Sequence, residues 1–200
     1  MESSAILLST AYFAPVHYFG AIAGAKSVQI EACETFQKQS YRNRCVIYSP
    51  DGAQTLLVPV LHKGSRFIRD IRIDYSKNWV HLHKRALATA YGPSPYYTYY
   101  KDDIEAILDR HHTFLFDLNC EATAKLMELL QLPSEITFTA DYDKAPAAAA
   151  DLREAIHPKK TPAAPQKQYY QAFCARHGFL GGLSALDLLF CEGPEAAGYL

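Results

Sequence analysis

Apolar residues fall into short runs near the start of the chain and into helical spacing in its middle. AILLS, residues 5–9, is an apolar run of strand length, and SVQIE, residues 27–31, is a second. Between them, Pro15 suits the first turn of a helix, and VHYFGAIAGA, residues 16–25, reads as that helix. Strand, short helix, strand is the opening of an α/β unit. CVIYS (45–49), the turn PDG (50–52) and QTLLVPV (54–60) predict a hairpin, with Pro59 placing the second strand at an edge or at its end. FIRDIRI, residues 67–73, alternates apolar and charged positions and predicts a half-exposed strand.

The period then changes. Trp79, Leu82, Ala86 and Leu87 recur at helical spacing, with Ser76 as a capping residue and Gly92-Pro93 as a stop. Residues 102–132 predict two helices broken near Asp117 to Asn119, and EITFTA (135–140) predicts a late strand. Residues 141–167, rich in alanine, proline and lysine, lose the pattern and read as a long surface loop with a helical turn. Tyr169, Tyr170 and Phe173 form the apolar face of a helix ended by Gly178, and Ser184 caps a last helix, ALDLLFCEG. The fold expected is one α/β domain over residues 1–200. It has a mixed sheet with helices packed on it and a C-terminal helical pair closing over one end.

Composition narrows the partners. Twenty basic and 21 acidic residues give a net charge of -1. That balance gives no general reason to expect nucleic-acid or membrane-surface binding. No apolar stretch approaches the roughly 20 residues that span a bilayer. The start, MESSAILLSTAYF, lacks the basic n-region of a signal peptide. The five cysteines are odd in number and form no CxxC pair. A cytoplasmic protein with free thiols is expected.

Candidate chemistry concentrates in four places. QKQSYRNRC, residues 37–45, puts Arg42 and Arg44 on one side of an extended chain with Asn43 between them. Such a group grips a carboxylate or phosphate, or else its arginines pair with the nearby Glu31 and Glu34. His17, in PVHYFG, follows a strand at the end where open α/β sheets bind ligands. His81 and His83 lie two apart on a helix and face different sides, so they do not share a metal. YGPSPYYTYY, residues 91–100, offers five tyrosines as walls for a sugar or base, or as a packed corner. Cys45 is a nucleophile if a histidine approaches it, and otherwise a buried thiol. No Walker A, HExxH or GxSxG motif is present, and the sequence indicates neither a metal nor a cofactor.

Four blocks together resemble the WbqC-like family: YFAPVHYFGAIAGAKSVQIEACETFQKQSYRNRCVI, LLVPV, IDYSKNWVHLHKRALATAYGPSPYYTYY and LSALDLLFCEGPEAAGYL. The resemblance carries over Tyr12, Pro15, Asn43, Arg44, Trp79, His83, Tyr91, Pro95 and Tyr96. Where longer relatives often read NRNR, this chain has Asn43-Arg44-Cys45-Val46, and a histidine at position 17 is not general among relatives. What the resemblance implies is a bacterial group transferase of surface-polysaccharide or O-antigen biosynthesis. It would move an aminoacyl or related group onto a nucleotide- or lipid-linked sugar. In that reading Arg44 and Asn43 hold an anion, His83 acts as base, Tyr91 and Tyr96 wall the acceptor, and Tyr12 and His17 contact substrate. The alternatives are a non-catalytic glycan- or partner-binding protein of the same pathway, and a hydrolase using Cys45 with a histidine.

Overall fold

In the computed structural model, residues 5–61, 64–132, 135–146, 149–162 and 165–200 are described. Residues 147–148 and 163–164 of the expected long loop lie outside them, as do the first four residues of the chain.

The opening unit forms as its pattern predicts. Strand β1 (Ala5–Ser9), helix α1 (Val16–Ala23) and strand β2 (Ser27–Glu31) follow in order. β1 and β2 pair in parallel from Ala5↔Ser27 to Ser9↔Glu31. Ile6, Leu7, Leu8, Val28 and Ile30 are all buried, as continuous apolar strands in a covered parallel sheet must be. Strands β3 (Arg44–Ser49) and β4 (Gly52–Leu57) make the expected hairpin, antiparallel from Arg44↔Leu57 to Ser49↔Gly52. Its turn closes on Gly52 at φ 102°, a conformation open to glycine.

Helices α2 (Trp79–Tyr91), α3 (Tyr97–Asp109) and α4 (Leu115–Leu129) follow. Strands β5 (Ile136–Phe138) and β6 (Ala150–Asp151) come next, then α5 (Cys174–His177) and α6 (Ala185–Glu192). The larger sheet has the order β5-β2-β1-β6 with every pairing parallel, and the hairpin stands as a separate sheet. The α/β class is as expected, with the mixture of strand directions divided between two sheets. Seven successive residues of α6, Ala185 to Cys191, are buried. A helix apolar on all sides belongs in a core.

Several elements differ from the sequence pattern. FIRDIRI forms no strand: Ile68–Asp70 is a 3-10 turn, and Phe67, Arg72 and Ile73 make only isolated bridges. Ile68, Ile71 and Ile73 still turn inward, so irregular backbone satisfies the alternation. The break between the helices of 102–132 falls before Leu115. Asp117 stands instead in the first turn of α4, where a carboxylate suits the helix dipole. Helix α3 starts inside the tyrosine-rich stretch. The expected helix around Tyr169 reduces to α5, because the Gln171 side chain clamps the backbone of Leu180 through both its amide groups. The segment 141–167 contains β6, a two-residue strand paired with β1 through Ile6↔Ala150 and Leu7↔Asp151.

Candidate functional site

The carboxyl ends of three neighbouring parallel strands carry Glu31 (β2), Ser9 (β1) and Asp151 (β6) in a row. Open α/β sheets bind ligands at this edge. Here the protein fills it with its own charges. Arg153 donates from Nη1 to Glu31 Oε2 at 2.8 Å and from Nη2 to Asp151 Oδ2 at 2.7 Å. Arg42 reaches in from the other side and binds Glu34 through two nitrogens, with a further bond from Nη2 to Ser9 Oγ at 2.7 Å. All four of Glu31, Glu34, Arg42 and Arg153 are buried. Burial pushes the Glu34 carboxyl up, against the pull of Arg42. The space left between Ser9, Arg42 and Arg153 is about 10 Å³, room for about one water. Removing one member of such a pair strands a buried charge and costs roughly 3–5 kcal/mol.

Open space lies alongside, against α1. A hollow of about 740 Å³ runs along Val16, Gly20 and Ala21 and is closed opposite by Leu152 and Ile156. A second hollow, about 430 Å³, is lined by Tyr41, Val46, Pro158 and Phe179. His17, Lys160, Thr161 and Gln166 border both. Burial lowers the His17 imidazole to about 4, so the ring is neutral at pH 7. Its Nδ1 is covered and unbonded among the described residues, and so is Gln166 Nε2. Gln166 is oriented by the backbone N–H of Gly182, which donates to its Oε1 at 3.0 Å. No aspartate or glutamate side chain is among the described residues lining either hollow.

The loop that presents His17 is tightly held. Phe13, buried, has φ 37°, unusual for a side-chain-bearing residue. Its carbonyl accepts from Ser184 Oγ at 2.7 Å, and Val16 N–H donates to Leu183 O at 2.9 Å. Strained backbone of this kind persists only where its surroundings enforce it.

The structure scatters the other residues expected at a site. His83 is buried on α2, and Tyr12 Oη lies 2.9 Å from its Nδ1. Burial holds the His83 ring down to about 4, against a backbone hydrogen bond with Leu57 that favours the charged form. The pair pins α2 to β4 and to the β1–α1 loop. His83 borders a shallow hollow with Leu57 and Leu82, and Arg44 is not among its lining residues. Asn43 is buried and donates to Val58 O at 2.9 Å. Tyr91 is buried, accepts from Tyr48 N–H at 3.2 Å and hydrogen-bonds Asp187. Cys45 is buried and its thiol is pushed well up by desolvation, so it is held protonated, away from nucleophilic form. Tyr96 is half-buried over Gly193. Arg44 makes no ion pair among the described residues, and its Nε is covered and unbonded. It shares a strand face with Val46, which lines the smaller hollow.

The basic segment therefore splits. Arg42 takes the internal pairing with Glu34, and Glu31 pairs with Arg153. Arg153, Lys160 and Gln166 lie in a stretch without periodicity, so no spacing in the sequence marks them. Among the described residues no cluster of three metal-ligating side chains occurs, and no helix is long and apolar enough to cross a membrane.

Comparison with known proteins agrees with the resemblance. The sequence profile described as "WbqC-like protein family" matches residues 10–160. The chain is 28% identical over 212 aligned positions to "Uncharacterized protein Rv1507c" of Mycobacterium tuberculosis (strain ATCC 25618 / H37Rv), covering 92% of this chain and 91% of that protein. No solved structure matches.

Proposed function

Because the chain belongs to the WbqC-like protein family, and because the paired hollows around His17 have the size and lining of a small-molecule site, we propose that it is a group transferase acting on a carrier-linked sugar in surface-polysaccharide biosynthesis. The observation that carries this reading is the neutral His17 ring standing between two hollows that also share Lys160 and Gln166. The larger volume lies within the ~300–1,000 Å³ typical of small-molecule pockets. Lys160 supplies positive charge for the phosphate of a carrier, and its amine is held by the Glu154 carbonyl at 2.7 Å. His17 and Gln166 supply hydrogen bonds, and the rings of Tyr41 and Phe179 offer faces for a sugar. In the transfer, an amine or hydroxyl of the sugar bonds to the acyl carbon as that carbon's bond to its donor breaks. The nucleophile's proton departs with the donor's leaving group. Since a histidine at 17 is not general among relatives, the reading gives it to substrate binding rather than to the chemical step.

Thermal-shift titration with sugar phosphates and sugar pyrophosphates tests this. Stabilisation of the wild-type chain, reduced at least tenfold in apparent affinity by His17→Ala, is the expected result. A gain in mass of the bound sugar, on adding an aminoacyl or acyl donor, marks the enzyme. Binding without turnover identifies a holder of the sugar instead, and indifference to every compound removes the site.

A further inference from the structure

The two carriers of that reading, nucleotide and lipid, make different demands on a pocket, and the lining of the larger hollow distinguishes them. Four of its polar side chains, His17, Lys160, Thr161 and Gln166, cluster where it meets the smaller hollow. Along the other walls stand mostly apolar groups, Val16, Gly20, Ala21, Leu152, Ala155 and Ile156, with Lys167 and Tyr199 beside them. A nucleoside asks for hydrogen-bond partners along its length, often with a carboxylate for the ribose hydroxyls. No aspartate or glutamate side chain is among the described lining residues of this hollow. Lys167, the other cation lining the hollow, donates to Gly198 O at 2.8 Å with its ammonium 4.8 Å from the Tyr199 ring, away from the smaller hollow, which it does not line.

We infer that the α1 hollow takes an anionic amphiphile, the phosphate end of a lipid carrier. The phosphate would sit at the His17–Lys160–Gln166 junction, the apolar tail along α1, and the attached sugar in the smaller hollow beside Tyr41 and Phe179. Gln166 Nε2 and His17 Nδ1, both covered and unbonded among the described residues, are polar groups at this junction that a small side-chain shift would offer to such a phosphate. A hollow whose walls are mostly apolar, with a cation at the junction with the smaller hollow, selects against both free phosphate, which gains no burial, and a nucleotide, many of whose polar groups would face aliphatic walls. This rests on reading the hollows as the substrate site.

Calorimetric titration of the full chain with alkyl phosphates of two to ten carbons, all below their micelle concentrations, with UMP and inorganic phosphate alongside, tests the inference. Affinity should rise about fourfold per buried methylene until the trough is full. UMP and inorganic phosphate should bind at least tenfold more weakly than octyl phosphate. Ala21→Phe should shorten the tail length at which the rise stops, and Lys160→Gln should weaken octyl phosphate more than octanol. UMP binding as tightly as octyl phosphate, and lost in Ala21→Phe, overturns the lipid carrier while leaving the hollow as the substrate site. Octyl phosphate binding untouched by both variants is surfactant adsorption and overturns the inference. Binding of none of the probes overturns it together with the reading it rests on.

Discussion

His83 and Asp187 are both sealed in the core, and burial moves them in opposite senses with respect to acid. The His83 ring is lowered from 6.5 to about 4, while the Asp187 carboxyl is raised from 3.8 to about 6. A histidine whose folded value is depressed contributes stability that is present above pH 6.5 and lost as pH falls toward 4. An aspartate whose folded value is raised does the reverse: its contribution grows as pH falls from 6 toward 3.8. Each is worth on the order of 3 kcal/mol. His17 adds to the acid-side loss. His83→Gln should therefore flatten the fall in melting temperature between pH 6.5 and 4, and Asp187→Asn should steepen it. Unchanged slopes in both variants would show that neither group is buried as described. Asp187 is held in its place by Tyr169 and Gln171, which both donate to Oδ2.

At the scale of elements, α6 shows how a helix is fixed at both ends. Ser184 Oγ accepts from Leu186 N–H at 3.3 Å, the N-cap bond the sequence predicts. The same hydroxyl donates to Phe13 O, and so ties α6 to the strained loop. At the far end Gly193 has φ 53°, and a Cβ built there would meet the Tyr96 ring at 2.5 Å. Gly193→Ala should lower the unfolding free energy measured by urea titration by more than the ~1–2 kcal/mol of left-handed strain alone. Adding Tyr96→Ala to it should relieve the clash and leave the strain. If the double variant is no better than the sum of the singles, the ring is not what excludes a side chain at 193. Tyr96, half-buried, thus packs against the end of α6.

Across the whole molecule, the C-terminal segment completes the core although the family match ends at residue 160. Residues 183–185 run beside the β1–α1 loop: Ser184 N–H donates to Val46 O, Ala185 N–H donates to Ala14 O, and Pro15 bridges Ser184. Deleting everything from Leu183 onward should abolish cooperative unfolding by denaturant, since α6 supplies apolar surface on every side. A truncated chain that keeps a sharp transition and protected amides in β1 would refute this. Leu152, Ile156 and residues 160–162 and 165–166 stand across the larger hollow from α1.

The sequence by itself determined β1, α1, β2, the β3–β4 hairpin and α6, because each announces itself through contiguous apolar runs, glycine or proline punctuation and a cap. It also marked His17, Asn43, Arg44 and the tyrosines as polar or amphipathic groups in need of an explanation. Only the tertiary structure decided which of them meet. Arg42 rather than Arg44 took the buried partner, since Glu34 and Ser9 converge on it from β1 and the β2–β3 connection. His83 became a pin under Tyr12. β6, Arg153, Lys160 and Gln166 came from a stretch with no period, where two ladder pairs and one buried guanidinium are held by long-range contacts. Spacing along a chain encodes neighbours three or four residues apart. The walls of a hollow are set by residues more than a hundred apart, and only folding brings those together.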